Sequence, residues 1–183
     1  MENRMPAMTK AEMEKFLSGP LIAKVATVRA DGSPFLVPVW YEWDGKTCYL
    51  VIRQRANWVK NIKHEPRVTV LLHNDRPPYQ KVIIEGDARI VGDSLQDWVE
   101  IGKKMVKRYY GPKAGISYLK GSIDQPRFTV KVTPTKITTW VNPPASVIAK
   151  KPRLAWPSRY YSRASKWYKE HSRERRKHGP IKG

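Results

Sequence analysis

Two Asp-Gly dipeptides, Asp31-Gly32 and Asp44-Gly45, constrain the fold of this chain more than any other feature. Each one separates two runs that are rich in apolar and β-branched residues, within the segment 24–53. Asp-Gly between alternating apolar runs is the strongest short-range signal for a β-hairpin. The sequence therefore predicts a meander of three consecutive strands.

Further strands and helices complete a mainly β pattern. A capping box at Thr9 and Glu12 predicts a first helix, and two more helices are expected over 56–64 and from 94 to about 109. Gly86, inside the fifth apolar run, indicates a bulge or bend of the kind that barrel corners need. We expect a small antiparallel barrel whose six strands cover residues 21–28, 34–43, 46–53, 67–73, 79–91 and 127–141.

The composition changes near residue 142. The chain of 183 residues has a formal net charge of +19, and residues 143–183 alone contain 12 basic and two acidic residues. We expect a barrel domain over 1–142 and a basic, aromatic extension over 143–183. The extension could pack on the body or on a partner subunit, stay solvated, or bind nucleic acid or an anionic membrane. Its aromatic residues are Trp156, Tyr160, Tyr161, Trp167 and Tyr168.

Several protein classes are disfavoured. No apolar run approaches the ~20 residues of a membrane-spanning helix, and the N-terminal segment lacks the apolar core of a signal peptide. We therefore expect a cytoplasmic protein. Cys48 is the only cysteine, so no intrachain disulfide can form. We expect its side chain to be packed in a strand, with a functional thiol as the alternative.

Familiar catalytic motifs are absent from the sequence. There is no Gly-rich phosphate loop and no Gly-x-Ser-x-Gly nucleophile elbow. If the chain is an enzyme, a bound cofactor would supply the reactivity. We expect no metal, because no recognisable ligand spacing links carboxylates to the four histidines, His64, His73, His171 and His178.

The first candidate site is the segment 53–61, where a predicted strand ends and a predicted helix begins. Basic side chains beside a helix N-terminus suit a phosphate group, and a tryptophan could cover an apolar ring. The alternative is a solvated basic turn in which the tryptophan is a core anchor. The candidate residues are Arg53, Gln54, Arg55, Trp58, Lys60 and Asn61.

A second candidate lies in the strand that precedes the second Asp-Gly turn. Pro38 cannot donate a ladder hydrogen bond, which indicates a strand edge or a bulge where backbone groups could meet a flat ligand. We expect this strand to lie antiparallel to the strand ending at Arg53. Alternatively, its aromatic residues simply alternate between core and solvent. The candidates are Val37, Pro38, Val39 and Trp40, and a weaker loop candidate contains Arg76 and Tyr79.

The order and spacing of these motifs resemble the FMN-binding split β-barrel of the pyridoxamine 5'-phosphate oxidase-like superfamily. The chain is most similar to the branch that uses FMN or the deazaflavin coenzyme F-420. The likeness covers about three quarters of the chain. It rests on residues 26–34, 37–40, 59–62 with 66–68, and 76–79 leading to 85–86, and it extends more weakly through Trp140.

The resemblance implies a six-stranded antiparallel split β-barrel that forms a homodimer with two cofactor sites between the subunits. The cofactor would be FMN, with coenzyme F-420 as the alternative. Residues 37–40 would flank its ring, and residues 53–61 would hold its phosphate. Arg76, Tyr79, Gln80 and Trp140 would complete the pocket, some of them from the partner.

The activity implied by this resemblance is hydride or electron transfer between the cofactor and a small organic substrate. A non-catalytic flavin- or tetrapyrrole-binding protein is the alternative, and a polyanion-binding module acting through the extension is another. The family commonly has a Ser-Arg-Lys-like triplet where this chain reads Ala56-Asn57-Trp58. Arg53, Arg55 or Lys60 would then supply the positive charge, or the cofactor would be held differently or not at all.

Overall fold

The computed structural model describes residues 7–76, 78–142 and 145–150. Within them, seven strands form one antiparallel sheet in the order β2-β1-β5-β6-β7-β4-β3. The predicted mainly β fold is confirmed. The strands are β1 (Ala23–Val28), β2 (Pro34–Val39), β3 (Glu42–Trp43), β4 (Cys48–Arg53), β5 (Arg67–His73), β6 (Gln80–Gly92) and β7 (Arg127–Val141). The helices are α1 (Lys10–Leu17), α2 (Val59–His64), α3 (Leu95–Tyr110), α4 (Pro112–Lys120) and α5 (Ala145–Lys150).

The predicted number of six strands is wrong, because the single strand expected over 34–43 is divided. Its first part, β2, pairs with β1, and its second part, β3, pairs with β4 at the opposite side of the sheet. The expected pairing of residues 37–40 with the strand ending at Arg53 is therefore also wrong. Pro38 explains the edge position of β2, because a strand with an outward-facing proline loses no ladder bond there.

This division makes the sheet curl. Only Trp40 and Tyr41 separate β2 from β3, although these strands are the two outermost members of the sheet order. In a flat sheet they would lie about 29 Å apart, at ~4.8 Å per strand. Three Cα steps reach only about 11 Å. The sheet must bend until its edges approach each other, and the predicted split β-barrel is confirmed in this form.

The bulge expected at Gly86 is present in the long β6–β7 ladder. Glu85 lies opposite Lys136, whereas Gly86 lies opposite Pro134, so one residue of β7 is extra. A Cβ atom at Gly86 would lie 2.3 Å from the carbonyl oxygen of Thr133, so only glycine fits this approach. The bulge bends both strands into the curl of the barrel.

The barrel core consists of the inward-facing residues of alternating strands. Leu50, Val70 and Ile84 are fully buried there, and Cys48 is buried beside them. Burial raises the pKa of the Cys48 thiol to about 12, in agreement with the packed side chain that we predicted. Helix α1 packs on this core through the fully buried Leu17, and the Tyr41 hydroxyl donates to the carbonyl of Leu17 at 2.7 Å.

Helices α3 and α4 form a second layer over β4 and β7. Gly111, with a φ of 80°, ends α3 and lets α4 start at once with Pro112. Trp98 and Leu119 form a small apolar cluster between this helical pair and the sheet, against Val51. The site described below lies along this interface.

The proposed extension over 143–183 falls outside the described residues, apart from 145–150. Its predicted packing and partner interactions, and the domain boundary itself, therefore stay predictions. Among the helices of the described part, none is long and apolar enough to cross a membrane.

Candidate functional site

The predicted site residues divide into two groups that lie at opposite ends of β7. Arg53 pairs with Arg127, the first residue of this strand. Gln80 pairs with Val141, the last one, and Trp140 is next to it. Along β7 about 46 Å of extended strand separates the two groups, at ~3.3 Å per residue. A single subunit does not bring all the predicted residues together.

The first group forms a basic corner, which we define as Arg53, Gln54 and Arg55. An open depression of about 310 Å³ lies here. The backbone amide of Gln54 donates to the carbonyl of Pro126 at 3.0 Å, which fixes the end of β4 against the segment before β7. Arg55 is exposed and Arg53 is half-buried, so both cations are accessible to an anion. Gln125 and Pro126 complete the lining.

Helix α2 contributes less to this corner than we predicted. It begins at Val59 rather than Ala56, and it has only six residues. The amides of Val59 and Lys60 donate to the carbonyls of Ala56 and Asn57, both at 3.1 Å. We expected unpaired backbone amides at the N-terminus of this helix, and this expectation is wrong for Val59 and Lys60. An anion at this corner would depend on the side chains.

Two further candidates in this segment hold α2 on the sheet. Trp58 is 8% exposed and belongs to the barrel core. The side-chain amide of Asn61 donates to the Thr27 hydroxyl at 2.9 Å. Lys60 is exposed. Trp58 was expected either to cover the ring of a ligand or to anchor the core, and its burial supports the role of core anchor.

The edge strand β2 presents an irregular surface. Val37 and Val39 are half-buried, and Pro38 is exposed. Leu36, which the sequence analysis did not select, is 63% exposed. Within the described residues β2 has one neighbouring strand, β1, so its other side is open to a ligand or another chain.

Trp40 lies in an aromatic cluster that the sequence analysis missed. Its ring stacks on Tyr109 with centroids 4.6 Å apart and planes 8° from parallel. Tyr110 meets the same ring edge-on at 5.1 Å, and Tyr118 lies 5.8 Å away. The signal in the sequence was the Tyr109-Tyr110 pair before Gly111. It could not be placed beside Trp40 without the tertiary structure.

The second group of candidates lies where β5 and β7 end and β6 begins. The Asn74 side chain organises this loop: its amide donates to the Pro78 carbonyl at 2.9 Å and its oxygen accepts from the Gln80 amide at 2.6 Å. Tyr79 is 45% exposed. The Lys81 ammonium lies 5.3 Å from the ring centroid of Trp140. Arg76, also exposed, completes a basic and aromatic surface.

A small cavity of about 90 Å³ lies between the sheet and the α3–α4 pair, with Arg53 in its wall. Its most unusual residue is Arg127, which is 6% exposed. Sequence reasoning did not select Arg127, because only the long-range pairing of β4 with β7 places it beside Arg53. Among the described residues, no group of three His, Cys, Asp or Glu side chains could hold a metal ion.

Comparison with known proteins identifies the family. The profile of the pyridoxamine 5'-phosphate oxidase family matches residues 9–141. No functionally curated protein matches the chain. A conserved hypothetical protein from Mycobacterium tuberculosis has a similar structure, with a TM-score of 0.64 and 25% sequence identity over 77% of this chain and 90% of that one.

Two other similar structures have names that refer to cofactors. An F-420 reductase superposes with a TM-score of 0.53 and 26% identity, over 68% of this chain and 94% of that one. A FAD-binding protein from Mesorhizobium loti is 16% identical, with a TM-score of 0.53 over 74% of this chain and 95% of that one. The latter likeness concerns the fold alone. On the match over 9–141, this chain belongs to the pyridoxamine 5'-phosphate oxidase family.

Proposed function

We propose that this protein is a homodimeric oxidoreductase that binds FMN, with coenzyme F-420 as the alternative, and transfers hydride or electrons to or from a small organic substrate. The observation that carries the proposal is the basic corner, an open depression of about 310 Å³ with Arg53 and Arg55 in its lining. Ligand pockets of this size are common, and arginine binds phosphate through two donors. The family and the similarity to an F-420 reductase support a redox cofactor.

A homodimer would bring the two groups of candidate residues together. In a two-fold dimer, the basic corner of one subunit can face the end of β7 of the other. The second half of β7 supports such an arrangement. From Thr133 onward it has no fully buried residue, and it pairs with β6 but not with β4. Ile137 and Tyr79 are exposed there, at 37% and 45%.

Each part of the site has a role in this proposal. Arg53 and Arg55 bind the phosphate group, and the open side of β2 offers backbone groups to the polar edge of the ring. Trp140 of the partner subunit shields the pocket from water. The redox chemistry is supplied by the cofactor when it is bound, so no side chain is required as an obligatory acid or base.

The proposal is tested by titration of the purified protein with FMN, with riboflavin, which lacks the phosphate, and with coenzyme F-420. We expect one site per subunit and dimers by light scattering. Arg55→Gln should weaken FMN binding by about tenfold or more, because a hydrogen bond to a charged group contributes ~1.5–3 kcal/mol. It should leave riboflavin affinity unchanged. The exposed Lys103→Gln on α3 serves as a control with the same loss of charge.

Two results would contradict the proposal. A protein that takes up neither FMN nor coenzyme F-420, and that is purified colourless from its native host, is not a redox enzyme of this kind. If FMN binds equally well to the wild type and to the Arg55 variant, the phosphate lies outside the basic corner.

A further inference from the structure

A pair of arginines faces the small cavity between the sheet and the α3–α4 pair. Arg53 and Arg127 lie directly opposite each other in the antiparallel ladder of β4 and β7. Like charges in directly opposite positions destabilise a sheet. Arg127 is also 6% exposed, so water does not screen its charge well. Some compensating anion is expected at such a position.

The contacts of Arg127 leave part of its guanidinium without a partner. Nη2 donates to the Ser122 hydroxyl at 2.8 Å, and the Cζ atom lies 4.2 Å from the ring centroid of Trp98. Nη1 is buried and has no hydrogen-bond partner in the described part of the chain. A structural role of Arg127, in anchoring the end of α4, accounts for the contacts of Nη2 and of the planar face of the guanidinium. It does not account for the burial of Nη1 without a partner.

In the described part of the chain no carboxylate forms an ion pair with either arginine, and Asp124 offsets the charge of Arg127 only from a greater distance. Among residues 7–76, 78–142 and 145–150, no acidic oxygen lies within 4.0 Å of the Arg53 or Arg127 guanidinium. Burial, together with the nearby Arg53 charge, lowers the pKa of Arg127. A buried charge without a partner costs several kcal/mol as an order of magnitude. This unfavourable burial of the Arg127 charge occurs in the wall of a cavity rather than in a filled core.

The cavity has the shape and the lining of a binding site for an amphipathic anion. Its volume is about 90 Å³, with the two arginines in its wall. The Tyr118 hydroxyl lies 3.5 Å from Nη2 of Arg53 and continues the polar part of the wall. The remaining lining is aromatic and apolar, and includes Trp40, Val51, Met105 and Leu119.

We propose that this cavity binds the carboxylate of a small organic acid, with the guanidinium groups of Arg53 and Arg127 as donors and with Trp40 and Tyr118 against its apolar part. A carboxylate is planar and matches the two-donor geometry of guanidinium groups. The apolar part of an organic acid can pack against the aromatic and apolar walls of the cavity, which a phosphate ion would not contact. The site does not depend on the proposed cofactor, and Arg53 is the only residue that it shares with the basic corner.

The test uses the full chain without cofactor, in a chloride-free buffer of low ionic strength. Isobutyrate is the probe, and isobutyramide is its neutral counterpart of nearly the same shape. Binding is followed by NMR through the indole N–H signals of Trp40 and Trp98. We expect saturable shifts with isobutyrate and none with isobutyramide. Inorganic phosphate should shift these signals more weakly than isobutyrate at equal concentration.

Variants locate the binding. Arg127→Met should weaken isobutyrate binding by at least tenfold, and Arg53→Gln should weaken it as well. Arg55→Gln, which changes the basic corner but not the cavity, should bind isobutyrate as the wild type does. If Arg127→Met does not fold, Arg53→Gln decides by itself. Equal shifts with isobutyramide, absence of saturation, or an equal loss in Arg55→Gln would overturn the proposal.

Discussion

Arg108 and Arg127 are two poorly exposed arginines near the same helical layer, and they differ in what compensates their charge. Arg108, near the end of α3, donates to the Glu42 carboxylate and, at 2.9 Å, to the Tyr41 carbonyl. Arg127 has Ser122 and the face of Trp98 instead, and one of its nitrogens has no hydrogen-bond partner among the described residues. The paired arginine fastens a helix to β3. Arg127 faces a cavity instead, where a bound anion can form an ion pair with it.

The largest expected effect comes from breaking the compensated pair. Glu42→Ala leaves the charge of Arg108 buried without its carboxylate, and we expect a loss of about 3 kcal/mol or more in the free energy of unfolding. Glu100→Ala removes the exposed partner of Lys103 on the same helix and should change it by less than about 1 kcal/mol. Urea denaturation measures both. Similar losses in the two variants would show that burial does not distinguish these pairs.

Replacing Arg127 should have a smaller effect on stability in the ligand-free protein. Arg127→Met loses the Ser122 hydrogen bond and the Trp98 contact but removes an unpaired buried charge. We expect the unfolding free energy to stay within about 1 kcal/mol of the wild type, since these contributions oppose each other. Arg108→Met should lose clearly more. A loss at Arg127 as large as at Arg108 would indicate that Arg127 is mainly a structural residue.

The smallest effect concerns pH. Burial raises the pKa of Glu42 above 4.5, although Arg108 and Lys104 oppose this. A carboxyl group with a raised folded-state pKa contributes stability that is fully present below 4.5 and is lost as the pH rises through the folded-state pKa. The stability of the wild type relative to Glu42→Gln should therefore increase as the pH falls from 7 towards 4.5. Urea titrations at several pH values check this sign.

Glu65 provides the opposite case for the same titrations. Hydrogen bonds from Arg67 hold the pKa of this half-buried carboxyl at about 2. Its contribution is present above 4.5 and is lost as the pH falls towards 2. The wild type should lose stability relative to Glu65→Gln in that lower range. A common direction for both glutamates would contradict the assigned causes.

Local features of the fold could be predicted from the sequence. The two Asp-Gly turns have positive φ angles at Gly32 and Gly45, of 81° and 91°, and each joins an antiparallel pair. The capping box at Thr9 is present, and so is one at Ser94. These patterns act over a few residues. The sequence did not reveal that the strand over 34–43 divides, because that depends on which distant strand each half pairs with.

The candidate site was predictable in the same limited way. A run of basic residues after an apolar strand indicated Arg53 and Arg55, and both line the depression there. Trp58 was selected because its side chain could cover an apolar ring, but it is a core residue. Arg127 and Tyr118 could not be selected, because their proximity to Arg53 arises from pairing across more than sixty residues of chain.

The position of β7 has a consequence for biosynthesis. Of the strands in the described residues it is the last to be made, yet it is inserted between β6 and β4. Until residues 127–141 have left the ribosome, each of these strands exposes an unpaired edge, which is a template for association with other chains. The nascent protein is therefore most vulnerable to aggregation just before residues 127–141 emerge.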